Sequence, residues 1–184
     1  MRRNATDFDR PITAATVLRV QGGHAVGPAE LLSPEQLLTA IAGHREHGSA
    51  LIGWARELGD LHAVLIPGQV DPARRATDLD EAATRAEITQ VIAQIDSWAV
   101  FHVPRNPIAR THTHSLGEVI SHVAKTYADA WWTVLHITDE QLRHEAWFHL
   151  GQVREGYSDL IEDIRARRVQ LPLGWRGIES TPTT

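Results

Sequence analysis

Between Thr111 and His122 the chain reads Thr-His-Thr-His-Ser-Leu-Gly-Glu-Val-Ile-Ser-His. Three imidazoles and a carboxylate crowded into one short segment can take a proton, give one, or bind a metal near neutral pH. His112 and His114 alternate with Thr111 and Thr113, so in an extended loop they point the same way. They stand just before a predicted helix, where they suit the roles of general acid and base, and where the free amides form a natural site for a carboxylate or phosphate. Exposed loop histidines with no task are the plainer reading. Glu118 or Glu57 is the carboxylate that would orient them.

His114, Glu118 and His122 are spaced by four, so a continuous helix sets them along one edge. That spacing could seat a divalent metal such as zinc. The same residues include Ser115-x-x-Glu118, the signature of a capping box in which Glu118 folds back onto the amide of Ser115. The cap needs only local geometry and is the preferred reading.

The elements that must position these groups follow from hydrophobic periodicity. Ser33-Pro34-Glu35-Gln36 opens a first helix, with Ser33 as cap and Gln36 completing the box. A second helix runs from about Ser49 to Leu65 and ends at Pro67-Gly68; its stripe of Leu51, Ala55, Leu58, His62 and Leu65 places His62 on the apolar face. A third runs from Thr77 or Asp78 to about His102, with Ile88, Val91, Ile92, Ile95, Ala99 and His102 inward. A fourth spans Leu116 to about Leu135. A fifth opens at a second capping box, Thr138 to Gln141, and reaches about Arg168 with His149 on its stripe. Residues 1–32 show no sustained period, apart from a short strand pattern at Thr16–Val20, and read as an irregular arm. The expected organisation is an all-α helical bundle of about five helices over residues 33–172, with a tail at 173–184.

His62, His102 and His149 sit on three different helices, so they could meet in the core around a ligand. Histidines each satisfied by a carbonyl or carboxylate are the ordinary alternative. Glu57, Asp60 and Asp96 are the carboxylates placed to orient such rings, unless they serve as solvated groups or pair with Arg56 or Arg85. Trp54, Trp98, Trp131, Trp132 and Trp147 could wall a pocket together with His62, Glu57 and His149, although core and dimer contacts are the commoner uses of tryptophan. Trp131 and Trp132 are adjacent and cannot share a helical face, so one of them could meet a partner chain in a homodimer.

Composition narrows the function classes. The 184 residues contain no cysteine, which excludes disulfides, thiolate nucleophiles and Cys-ligated zinc. A formal net charge of −5 argues against nucleic acid as a partner. The polar segment Met1–Arg10 and the lack of any membrane-length apolar run lead us to expect a cytoplasmic protein without a signal peptide, and no membrane partner. There is no G-x-S-x-G, P-loop, dinucleotide-binding glycine fingerprint or H-E-x-x-H, and no pair of Glu-x-x-His motifs for a di-iron site.

Several short runs carry a resemblance: Trp54-Ala55-Arg56-Glu57-Leu58 with Leu61-His62, Ile95-Asp96-Ser97-Trp98, His112-Thr113 with Leu116-Gly117, His144 with Trp147, Gly156-Tyr157-Ser158-Asp159-Leu160 with Asp163, and Leu171-Pro172. In their order and spacing the chain, from about Leu32 to Pro172, resembles the uncharacterised bacterial family called domain of unknown function 4254. The resemblance implies an all-helical fold and no established activity. It also implies a glutamate where this chain has His114 and an Asp-Arg pair where it has Ser121-His122. Imidazoles in their place would turn a scaffold position into an acid–base site, as in a specialised biosynthetic enzyme. His144 to Gln152 is, more weakly, similar to the closing motif of DinB-like metal-binding four-helix bundles.

The leading expectation is therefore a small-molecule enzyme of isomerase, cyclase or lyase type, using His112, His114 and Glu118 without a redox cofactor. A His-ligated metal hydrolase and a non-catalytic partner subunit are the alternatives.

Overall fold

A computed structural model of the protein describes residues 31–45, 48–70 and 78–172. Five helices fill it: α1 (Pro34–Ile41), α2 (Ala50–Val70), α3 (Asp78–His102), α4 (Leu116–His136) and α5 (Glu140–Arg165). Two-residue strands β1 (Arg110–Thr111) and β2 (Val169–Gln170) pair in parallel. The all-α bundle is what the periodicity demands. No helix among the described residues is long and apolar enough to cross a membrane. The irregular arm and the strand pattern at Thr16–Val20, like the tail, lie outside the described residues, as does Thr77, one of the two caps considered for α3.

Local signals set most helix ends. Ser33 accepts a hydrogen bond from the Gln36 amide while the Gln36 side chain accepts from the Ser33 amide, so two of the amides left free at the start of α1 are satisfied. Ser115 and Glu118 repeat the device on α4. α5 differs from expectation: Asp139, not Thr138, is its cap, accepting from the amides of Gln141 and Leu142. An aspartate one residue further on is an equally good acceptor and wins. α5 also stops earlier than expected, at Arg165, because Arg167 turns into the left-handed region with φ 57°. Pro67 does not end α2, which continues to Val70; a proline removes one backbone bond without forbidding a further turn.

α4 is the central element and packs against all four other helices. Its inward residues Leu116, Ile120, Val123 and Ala124 join Leu37 of α1, Leu51, Ala55 and Leu58 of α2, Ile95 of α3 and Tyr157 and Ile161 of α5 in one buried cluster. Leu31 and Leu32 belong to that cluster too, so the core begins before the expected boundary. The buried Tyr157 hydroxyl donates to the Leu32 carbonyl at 2.9 Å and Arg165 donates to that of Leu31 at 3.1 Å. α3 and α4 meet closely at one end, where a methyl group on Gly117 would lie 2.5 Å from the Ile92 carbonyl oxygen. Only glycine permits that approach.

Candidate functional site

The histidine-rich loop is built to start α4. The His112 amide donates to the Gln170 carbonyl at 2.9 Å, which continues the β1–β2 pairing, and Nδ1 of His112 lies 2.8 Å from the His114 carbonyl oxygen. The two rings stand 6.0 Å apart, His114 exposed and His112 half-buried. Glu118 does not orient either of them: its carboxylate accepts from the Ser115 amide at 2.7 Å. The helix terminus is not an open anion site either. Glu118 donates its amide to the Ser115 hydroxyl, and the Gly117 amide donates to Asp96 Oδ1 at 2.8 Å. Asp96, reaching across from α3, already supplies the anion that the helix dipole favours. Burial pushes its carboxyl above the usual range, against the hydrogen bonds from Ser115 and Gly117. The hollow beside Asp96, under Leu116 and Leu171, holds about 20 Å³, room for one water.

A different histidine faces a real opening. The α2 stripe turns His62 toward α4, where its Nε2 lies 2.9 Å from the buried hydroxyl of Ser121. Burial drives the His62 pKa down from 6.5 to about 4, helped by the positive charges of Lys125, Arg85 and His122 and opposed by Asp129. The ring is therefore neutral at pH 7. If the Ser121 hydroxyl donates to Nε2, the proton sits on Nδ1; in the other tautomer Nε2 donates and Nδ1 is a free acceptor.

His62, Arg85, Thr89 and Lys125 line a cleft of about 240 Å³ over Leu65 and Ile88. α2 and α3 flank α4 here. α2 runs parallel to it, since His62 lies by Ser121 and Leu65 shares the cleft with Lys125. α3 runs antiparallel, since Asp96 meets Gly117 while Arg85 shares the cleft with Lys125. Arg85 is held by Glu81 at 2.6 Å and Lys125 by Asp129 at 2.9 Å, each one helical turn away along its own helix.

The other expected site residues are dispersed. His102 stacks on Trp98 of its own helix with ring centroids 4.6 Å apart and places Nδ1 2.7 Å from the Trp98 carbonyl. It does not join His62. His149 is exposed on α5, near enough to His122 to help hold that ring below its ordinary pKa; burial is the larger cause, and Lys125 and His114 add to it. Among the described residues, no three histidine or carboxylate side chains are arranged to hold a metal ion, so His114, Glu118 and His122 do not form the metal-ligand set considered as the alternative to the cap. Glu57 is exposed, and Asp60 lies 3.9 Å from Arg56 as a surface pair. Trp54 packs half-buried against the core and Trp98 lies within it, while Trp131 and Trp147 are exposed and Trp132 stacks on His136. None of the tryptophans among the described residues walls the cleft; Leu65 and Ile88 form its floor.

Sequence reasoning found His62 from its stripe but missed its companions. Ser121 entered only as a departure from a family pattern. Arg85 entered only as an ion-pair partner, and Thr89 and Lys125 not at all.

The chain matches no family model, no curated protein and no solved structure.

Proposed function

We propose that this protein is a small-molecule enzyme in which His62, held by Ser121, handles a proton in the cleft between α2, α3 and α4. One observation carries the reading: a neutral imidazole, fixed by a hydrogen bond to a buried hydroxyl, stands in the wall of a cleft of about 240 Å³. With Nε2 bound to Ser121, the neutral ring offers Nδ1 to a substrate, as a hydrogen-bond donor in one tautomer and as a proton acceptor in the other, and two nearby cations stabilise negative charge as it develops. Reactions whose assisted step is a proton transfer fit this equipment: isomerisation, cyclisation, and elimination, in which the base removes a proton as the leaving group departs. None needs a redox cofactor. With its pKa near 4 the unliganded ring is a weak base; a negative charge beside it raises its proton affinity toward the range where base catalysis works. His112 and His114 are left with the structural task of the loop.

The substrate need not be identified in advance for the test. An aqueous small-molecule extract of cells is incubated with the wild-type protein, with His62→Gln, or alone, and followed by mass spectrometry. At least one compound should be converted by the wild type about 100-fold faster than by the variant. Equal conversion by both proteins, or an extract left unchanged by the wild type, would overturn the proposal.

A second reading, a partner subunit or homodimer, is favoured by Trp131 and Leu135 near the end of α4 and by Leu142, Trp147 and Phe148 near the start of α5. All five are large apolar side chains left exposed. The mass in dilute solution tests it: a stable dimer supports this reading and a monomer opposes the homodimer.

A further inference from the structure

We infer that the cleft takes a small carboxylate carried on a short apolar body. The inference rests on the proposed site and adds the chemistry of its ligand. Arg85 on α3 and Lys125 on α4 reach the cleft from two walls, with Thr89 one turn beyond Arg85. The carboxylates that hold the cations, Glu81 and Asp129, are not among the residues lining the cleft. The cleft thus presents cations, a hydroxyl and an imidazole, and no anion of its own.

The floor is different in kind. Leu65 and Ile88 are 7% and 8% exposed, so a ligand body resting there meets apolar surface. A volume of about 240 Å³, against about 20 Å³ for the hollow beside Asp96, leaves room for a carboxylate and a ring or branched chain of about six carbons. A compact phosphate fits less well. It would leave the floor wet, and the cleft is lined by mid-helix side chains rather than by the free backbone amides that phosphates favour. The groups acting on His62 are Lys125, Asp129 and His122 from α4 and Arg85 from α3. A carboxylate between the two cations offsets their repulsion of a proton on the ring.

The probes are benzoate, its neutral analogue benzamide, and inorganic phosphate, titrated into the full chain and followed by the amide NMR shifts of His62, Thr89 and Lys125. Benzoate should move these signals saturably, and benzamide and phosphate should bind about tenfold more weakly or worse. The double variant R85Q/K125Q should lose about tenfold or more in benzoate affinity, and the charge-keeping pair R85K/K125R should recover most of it. No saturable benzoate binding, equal binding of benzamide, tighter binding of phosphate, or an R85Q/K125Q protein that binds as before would overturn the inference. The benzamide comparison uses the wild type alone, so it stands even if a variant fails to fold. Benzoate binding without His62-dependent conversion of the extract would keep the ligand chemistry and remove the catalysis. Conversion of neutral compounds without benzoate binding would do the reverse.

Discussion

Replacing His62 by glutamine should flatten the acid side of the stability curve. Folded His62 takes a proton only near pH 4, whereas in the unfolded chain it does so near 6.5. As pH falls between these values the unfolded chain binds the extra proton and is favoured, so stability is full above about pH 6.5 and declines toward pH 4. The gap is worth at most about 3 kcal/mol, and water around a half-buried ring reduces it to about 2 kcal/mol. Burial also lowers the pKa of His122 and raises that of Asp96, but both groups are present in either protein and largely cancel in the difference. Glutamine keeps a polar tip for the Ser121 hydroxyl and cannot take the proton. Urea unfolding of both proteins at several values between pH 7.5 and 4.5 measures the effect. The wild type should lose about 2 kcal/mol more than His62→Gln across that range. Parallel curves, or an NMR titration of the His62 ring centred near 6.5, would refute the reasoning.

Other consequences follow from the packing. Gly117→Ala should cost about 2–3 kcal/mol in urea unfolding, because the methyl forces α4 away from the Ile92 carbonyl and breaks the bond to Asp96. Gly151→Ala, with nothing within 4 Å, should instead stabilise by about 0.5–1 kcal/mol; the same sign for both would contradict the close-approach argument. Tyr157→Phe should cost about 1–2 kcal/mol by stranding the Leu32 carbonyl in the core, and a thermal melt unchanged from wild type would deny that bond its weight.

The fold was legible because its signals are local. Periodicity marked five apolar stripes, and the Ser33 and Ser115 capping boxes are complete within four residues. The misreadings have local causes as well. Thr138 and Asp139 compete for one cap, and Arg167 adopts a left-handed conformation that nothing about an arginine announces. The β1–β2 pairing joins segments far apart in the chain that carry no strand pattern. The site was half legible for the same reason. His62 stood out on its stripe, but Ser121 is 59 residues away and only the packing of α2 on α4 brings them together. The histidine-rich loop drew attention by the density of its chemical groups. The His112 backbone amide holds β2 and Glu118 caps α4, while the His112 and His114 rings bond to neighbours within the loop. His102 illustrates the opposite trap: its place on an apolar stripe pointed to the core, yet a local i, i+4 stack on Trp98 settles it.

The proposed function turns on His62 rather than on the loop histidines, and kinetics test that directly. For a compound that the wild type converts, kcat/KM should be measured for His62→Gln, His112→Ala and His114→Ala side by side. We predict a loss of about 100-fold in the first and less than about tenfold in the other two. A large loss in either loop variant, with His62→Gln near wild type, would contradict the assignment of His62.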